Sequence, residues 1–307
     1  MFQKVDYGFK LMSEKILQWL SHNVELKMRG NRMKRISKSR IKSPFLLAGI
    51  LSMFVFMIIS WGFGSLFFEV MSYTEDYIME NSGNSKSEYL DMILPSILTW
   101  ENSWLGAFIY LVNLFPLFPC IVALGFSREL KGYFPYAVLF MKSGKRTVRK
   151  TCLCYALLGG LVVTITLLLG NAMLAPFAKA SLVDIGGADD FFSKNFYVLH
   201  PFFVFNVLAC TIYFELGFAF SLMACSVALW KNNSVVILGV PFLFYHLENF
   251  VSSQLGGFLP LWSADSVLAF NTEHNILELS VPLIVIMIIS VLLIEIKIHS
   301  RKGWVIQ

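Results

Sequence analysis

Residues with catalytic or metal-binding side chains are scattered in this chain of 307 residues. The five histidines fall in different segments, at His22, His200, His246, His274 and His299. The sequence contains no phosphate-binding G-x-x-x-x-G-K-[ST] loop, no zinc-binding H-E-x-x-H helix and no G-x-S-x-G nucleophile elbow. An intramembrane enzyme would need a polar constellation that these residues do not supply. We therefore predict that the chain is not an enzyme and binds no metal.

The cysteines favour packing over chemistry. All five lie inside or at the edge of apolar runs: Cys120, Cys152, Cys154, Cys210 and Cys225. Cys152-x-Cys154 lacks the spacing of a zinc knuckle and has no histidine nearby. Small apolar packing residues are the favoured interpretation, with zinc binding as the weaker alternative.

One carboxyl group is unusual in its position. Glu215 lies in the middle of the apolar run from Phe202 to Leu229, 15 residues before Trp230, or about 22 Å at 1.5 Å per helical residue. An ionisable group at that depth usually faces a bundle interior or a wet cavity. It either lines a substrate path or makes a structural hydrogen bond to another helix. Asn206 and Asn113 are weaker candidates for such a path, and interhelical hydrogen bonding is favoured for both.

The elements that carry these side chains are long apolar runs. Of all residues 56% are hydrophobic and only 15% are charged, against about 25% charged in a soluble domain. A spanning helix needs about 20 apolar residues. Six runs approach or exceed this length: Phe45–Phe68, Trp104–Phe126, Cys152–Ala175, Phe202–Leu229, Val235–Phe250 and Leu279–Ile298. The sequence predicts an all-α polytopic membrane protein with six transmembrane helices.

The basic residues predict how these helices are oriented. Of the 25 Lys and Arg residues, 22 fall in alternate segments that include both termini and residues 127–151. The positive-inside rule then makes both termini cytoplasmic. The loops predicted to be extracellular, which hold few basic residues, are 69–103, 176–201 and 251–278.

Residues 1–44 form a connecting segment before the transmembrane domain of residues 45–307. Apolar residues recur every three or four positions between Phe9 and Val24, which predicts an amphipathic helix. We expect it to lie in the cytoplasmic interface, with packing on another subunit as the alternative. The basic cluster from Lys27 to Lys42 is interpreted as a topology signal that also attracts anionic lipids, rather than a specific lipid or RNA site.

The most informative segment is the basic loop 127–151. Its apolar centre, Tyr133–Met141, has nine residues and is too short to span a bilayer. A short helix lying along the membrane face fits it. An apolar middle with charged ends predicts a docking site for a cytoplasmic partner.

These features together resemble the membrane subunit of type-2 ABC exporters, the ABC-2 permeases. Arg128-Glu129-x-x-Gly132, followed by an apolar turn and then Lys145-Arg146, is similar to that family's coupling-helix region. Leu229-Trp230-Lys231-Asn232-Asn233 resembles the pattern that closes its fourth span. The amphipathic segment before the first span resembles its connecting helix. In that family the loop before the sixth span re-enters the membrane, which residues 251–278 suit.

The resemblance implies a permease subunit that moves an amphipathic peptide, drug or lipid outward across a bacterial plasma membrane. It implies a second permease subunit, identical or different, and a separate cytoplasmic ATPase that carries the ATP and Mg²⁺. The residues implied to dock that ATPase are Arg128, Glu129, Lys131, Gly132, Tyr133, Phe134, Lys145 and Arg146. Glu215, with Asn206 and Asn113, would face the substrate path. A non-transporting membrane scaffold or sensor subunit is the alternative.

Overall fold

A computed structural model describes residues 43–132, 144–179, 194–254 and 276–300, and most of these are helical. The described residues form thirteen α-helices: α1 (Pro44–Gly64), α2 (Phe67–Ser72), α3 (Glu75–Ser82), α4 (Lys86–Ile97), α5 (Trp100–Ile109), α6 (Leu111–Leu114), α7 (Leu117–Gly132), α8 (Gly144–Leu174), α9 (Lys194–Leu199), α10 (Pro201–Cys210), α11 (Ile212–Trp230), α12 (Ser234–Gln254) and α13 (Ile276–His299). Outside the helices, an isolated bridge pairs Thr99 with Lys179. The predicted all-α fold class is confirmed.

Six segments of the described chain are long and apolar enough to cross a membrane: Pro44–Gly64, Leu111–Gly132, Lys145–Leu174, Pro201–Trp230, Ser234–Gln254 and Leu279–His299. They correspond one to one with the six apolar runs of the sequence. The largest differences are at two starts: the second span begins at Leu111 rather than Trp104, and the third begins at Lys145 rather than Cys152. The prediction of a six-span membrane protein is therefore confirmed.

The second, third and fourth spans form the centre of the helix bundle. They are 61%, 61% and 67% buried, whereas the first, fifth and sixth are 28%, 17% and 33% buried. Helix α11 is the hub, because it packs against α7, α8, α12 and α13. The outer helices expose apolar residues, as Leu51, Val55 and Ile59 do on α1. Such a surface suits lipid rather than water.

Glycines allow α8 and α11 to approach closely. A Cβ atom at Gly159 would meet the Ser221 hydroxyl and lie 3.1 Å from the carbonyl oxygen of Gly217. A Cβ atom at Gly217 would in turn lie 2.8 Å from the carbonyl oxygen of Gly159. Small residues at such crossings let two backbones come into contact in a membrane bundle.

Two spans are interrupted. In the second, the chain breaks between α6 and α7 at Pro116, which has no N–H to continue a helix. In the fourth, Thr211 separates α10 from α11 with φ −106° and ψ −91°. Its side-chain hydroxyl donates to the carbonyl of Val207. The sequence predicts a kink or break at Pro116 and Pro119. The break occurs at Pro116, whereas Pro119 lies in the first turn of α7, where a missing N–H is tolerated. No proline or glycine indicates the break at Thr211.

Residues 69–103, treated as a loop in the sequence, are mostly helical. Thr74 and Ser85 cap the starts of α3 and α4, and Gly83 ends α3 with φ 72°. These are ordinary helix-terminating signals, and they explain why this polar segment folds as short helices. The N-terminal amphipathic helix, the apolar centre of the 127–151 loop and most of residues 251–278 lie outside the described residues.

Candidate functional site

The candidate docking site lies where α7 ends and α8 begins. Arg128, Lys131 and Gly132 are exposed at the end of α7, and Lys145 and Arg146 are exposed at the start of α8. These two helices pack against each other and flank residues 133–143. We call this part of the bundle the basic end and define it by the exposed residues Arg128, Lys131, Lys145, Arg146, Arg149, Lys150 and Lys231. Tyr133 and Phe134 lie outside the described residues.

Glu129 differs from its basic neighbours because it is tied to the bundle. Its side chain is half-buried, and the Tyr155 hydroxyl donates a hydrogen bond to its Oε1 at 2.9 Å. Tyr155 is buried on α8, one turn beyond Thr151. The carboxylate therefore links α7 to α8 from within the candidate site. The sequence indicated an acidic residue here but not its partner.

A second contact connects α7 to the turn that follows α11. The Ser127 hydroxyl donates to Oδ1 of Asn232, and Nδ2 of Asn232 donates to the Ser127 carbonyl oxygen at 3.1 Å. Sequence reasoning noted Asn232 only as part of the Lys-Asn pattern after the fourth span. It did not predict a partner 105 residues away.

The basic end also contains an ion pair that sequence reasoning missed. The guanidinium of Arg149 donates through Nε and Nη2 to the two carboxylate oxygens of Glu295, each at 2.6 Å. The ammonium of Lys297 lies 5.1 Å from the ring centre of Trp230, whose indole N–H donates to the Leu293 carbonyl. These contacts join the start of α8 and the end of α11 to α13. The ends of the second, third, fourth and sixth spans are thus connected on one side of the bundle.

Glu215, the first candidate for a substrate path, lies in the first turn of α11, just after the break at Thr211. Its side chain is partly exposed, and its Oε2 accepts a hydrogen bond from the Ser280 hydroxyl of α13 at 3.1 Å. The interhelical hydrogen bond considered from the sequence is therefore present.

The other two path candidates contact different helices. Asn206 Oδ1 accepts from Asn171 Nδ2 of α8 at 2.8 Å, which is the interhelical bond favoured from the sequence. Asn113 has an exposed side chain, and its backbone oxygen lies 3.0 Å from His246 Nε2 of α12. Within the described ranges no hydrogen bond joins any two of Glu215, Asn206 and Asn113, so they do not form one polar cluster.

At the opposite end of the bundle lies a buried polar pair that the sequence did not indicate. Glu101 is only 7% exposed, and its carboxylate accepts a hydrogen bond from the Tyr197 hydroxyl. Nearby, the indole N–H of Trp104 donates to the Tyr213 hydroxyl at 3.3 Å. Both bonds cross between α5 and the helices of the α9–α11 segment. These two hydrogen bonds hold α5 against the bundle, and we assign them a structural role.

The described residues hold no group of three or more His, Cys, Asp or Glu side chains able to bind a metal ion. The five cysteines, all within that part of the chain, are free thiols.

No family model, no curated protein and no solved structure matches this chain.

Proposed function

We propose that this chain is the membrane-spanning permease subunit of an ABC exporter that works with a separate cytoplasmic ATPase. The observation that carries the proposal is the basic end, where the two helix ends that flank residues 133–143 are hydrogen-bonded to each other and to the central bundle. Both of these helix ends carry exposed cationic side chains, which can steer and orient a partner of complementary charge.

The contacts of this end suit the transmission of movement. A push on residues 133–143 moves the ends of α7 and α8 together, because Glu129 and Tyr155 link them. Asn232 passes the movement from α7 to the end of α11. Helix α11 is the hub of the bundle and carries Glu215 near its other end. We infer that Glu129 positions the docking surface, and that Arg128, Lys131, Lys145 and Arg146 touch the ATPase.

Topology supports the same assignment. Six spans, an even number, return the chain to the side on which it entered. The alternating charge of the segments makes that side the cytoplasm. We propose that both termini are cytoplasmic and that the membrane is a bacterial plasma membrane. The ATPase supplies ATP and Mg²⁺ chemistry, so this chain is not itself an enzyme.

We also propose that a second permease subunit, identical or different, completes the transporter. The substrate class is amphipathic: a peptide, a drug or a lipid. Its path passes Glu215, whose partly exposed carboxyl group is bonded only to Ser280 among the described residues. Asn206 and Asn113 are weaker candidates for that path, because each belongs to a different helix contact.

The test is affinity purification of the full chain from its native membrane with a C-terminal tag, followed by quantitative mass spectrometry. A P-loop ATPase at equal copy number, with vanadate-sensitive ATP hydrolysis, is the expected result. If no ATPase co-purifies in mild detergent or in native nanodiscs, the exporter proposal fails and a membrane scaffold or sensor subunit takes its place.

Charge-reversal variants locate the docking surface. Arg128→Glu combined with Lys131→Glu should lower ATPase recovery at least tenfold without changing expression, because both side chains are exposed. Lys179→Glu is the matched control, an exposed lysine beyond the other end of α8, and should recover the ATPase normally. Equal recovery of the ATPase with the wild type, the double variant and Lys179→Glu would contradict docking at the basic end.

A further inference from the structure

The strongest unassigned feature is a cavity between α1, α5 and α8, with a volume of about 220 Å³. Its lining includes Phe54, Met57, Trp61, Ala107, Leu167 and Met173. It lies at the end of the bundle opposite the basic end, because α8 begins at the basic end and reaches the cavity near its last residue, Leu174, and α1 runs parallel to α8 and reaches it near Gly64. It contains none of the residues proposed above for docking or for the substrate path.

The cavity is lined almost entirely by hydrocarbon. Four of its residues have polar side-chain atoms, and three of these already make hydrogen bonds. Ser103 donates to a backbone carbonyl of α4, Asn171 donates to Asn206, and Trp104 donates to Tyr213. The cavity opens to the surface of the bundle, and its apolar lining offers water few hydrogen bonds. A ligand that fills it must be apolar along most of its length.

The fourth polar group is the indole N–H of Trp61. Its Nε1 atom is buried and has no hydrogen-bond partner among the described residues. A buried donor without an acceptor carries a desolvation cost that a ligand acceptor removes. The cavity is therefore suited to a hydrocarbon chain that carries a hydrogen-bond acceptor at one end.

The depth of these groups matches a membrane lipid. Trp61 lies three residues before the end of α1 and Phe54 lies ten before it, which is about 4.5 Å and about 15 Å from that end at 1.5 Å per residue. The donor is thus near the membrane interface, where tryptophan is common, and the hydrocarbon lining continues toward the bilayer centre. In a phospholipid the ester carbonyl and the acyl chain have this same order.

We propose that this cavity binds one acyl chain of a membrane phospholipid, whose ester carbonyl accepts the hydrogen bond of Trp61 Nε1. The volume exceeds the roughly 150 Å³ that holds benzene in an engineered apolar cavity. It is below the range of about 300–1,000 Å³ typical of pockets for drug-sized ligands, so the cavity suits a segment of a single chain better than a whole polycyclic drug. This site goes beyond the proposed transport function, since it needs neither an ATPase nor a transported substrate.

The test is photo-crosslinking of the full chain in phosphatidylcholine nanodiscs. They contain a small fraction of phosphatidylcholine with a diazirine on one acyl chain, attached by either an ester or an ether bond. Leu167 and Leu169 serve as the two reporters on α8, because Leu167 lines the cavity and is 2% exposed, whereas Leu169 is 46% exposed on the bundle surface. Adducts are located by digestion and mass spectrometry.

With wild-type protein we expect ester-linked lipid to label both reporters. Ether-linked lipid should label Leu167 about two- to tenfold less than ester-linked lipid does, because it lacks one hydrogen bond. At Leu169 the two lipids should label equally. Trp61→Phe should remove the difference between ester and ether at Leu167. Ala107→Leu, which fills the cavity, should reduce labelling of Leu167 but not of Leu169. Leu105→Phe, at an exposed position of the same helix, should change the labelling of neither reporter.

Two results overturn the proposal. One is the absence of adducts at Leu167 while Leu169 is labelled, which leaves only lipid on the outer surface. The other is equal labelling of Leu167 by ester and ether lipids in the wild type. This result does not depend on whether any variant folds.

Discussion

Asn232 and Ser127 hydrogen-bond to each other through two pairs of atoms, side chain to side chain and side chain to backbone. The pair fastens the end of α7 to the turn between α11 and α12. Ser127 is buried, so its hydroxyl has little access to water. This contact makes the end of the second span and the end of the fourth span one mechanical unit.

We predict that Asn232→Leu lowers the free energy of unfolding by about 1–3 kcal/mol, because it leaves buried polar atoms of Ser127 without a partner. Ser127→Ala should cost less, since the backbone carbonyl keeps its hydrogen bond. A double-mutant cycle by SDS titration should give a coupling energy of about 0.5–3 kcal/mol between the two sites. Ser234→Ala, at an exposed position two residues further on, is the control, and strictly additive effects would contradict the pairing.

A second prediction concerns Arg149 and Glu295, the bidentate ion pair of the basic end. Their side chains are 45% and 34% exposed, so the pair contributes only about 0–1 kcal/mol through charge attraction. Arg149→Glu should nevertheless destabilise the protein, because two carboxylates then face each other. The exchanged double variant, Arg149→Glu with Glu295→Arg, should recover most of that loss.

Thermal unfolding in detergent measures the stability of both ion-pair variants. Lys150→Glu makes the same charge change at the adjacent exposed residue and is the matched control. If the exchanged variant is no more stable than Arg149→Glu alone, the contact between α8 and α13 does not depend on this ion pair.

The six spans were predictable because each is an apolar run near the length a bilayer demands. The break at Pro116 was also predictable from a local signal, because proline cannot donate the next helical hydrogen bond. The break at Thr211 was not, because threonine is compatible with either a helix or a break and no neighbouring proline or glycine distinguishes the two. Helices α3 and α4 were readable in principle from Thr74 and from the spacing of Ser85 and Glu88, which apolar-run analysis does not consider.

The candidate site was predictable only in part. Loop charge indicated which helix ends are basic, and these residues are indeed exposed. The partners of Glu129, Asn232 and Glu295 depend on which helices become neighbours, and the sequence separations of 26, 105 and 146 residues carry no local signal. Sequence reasoning therefore indicated the exposed basic residues and missed the bonds that connect these helix ends to the bundle.

The third prediction uses the close crossing of α8 and α11. Gly159→Ala should lower stability by about 1–3 kcal/mol, because the added Cβ atom overlaps the Ser221 hydroxyl in a packed interface. Gly239→Ala is the matched control, since a Cβ atom there has nothing within 4 Å. It should raise stability by about 0.4–1 kcal/mol, through the lower entropy of the unfolded chain. Similar effects at the two glycines, measured by SDS titration, would contradict the close crossing.

The last prediction is a pH dependence in α4. The carboxylate of Glu88 accepts hydrogen bonds from the backbone N–H of Ser85 at 3.0 Å and from its hydroxyl at 2.9 Å. The backbone hydrogen bond is the larger cause, and together the two lower the pKa of Glu88 below its usual value of 4.5. A lowered folded-state pKa stabilises the helix start above the unfolded pKa, and this stabilisation is lost as the pH falls through the folded pKa.

Local hydrogen exchange of the α4 amides, corrected for the intrinsic rate at each pH, measures this effect. Protection in the wild type should be constant near neutral pH and fall below about pH 4.5. Glu88→Ala should show lower protection at neutral pH and a smaller change on acidification, because the titrating cap is gone. Asp91→Ala removes an exposed carboxylate from the same helix outside the capping box, and it should keep the wild-type profile. Acid sensitivity that survives in Glu88→Ala would assign the effect to another carboxylate.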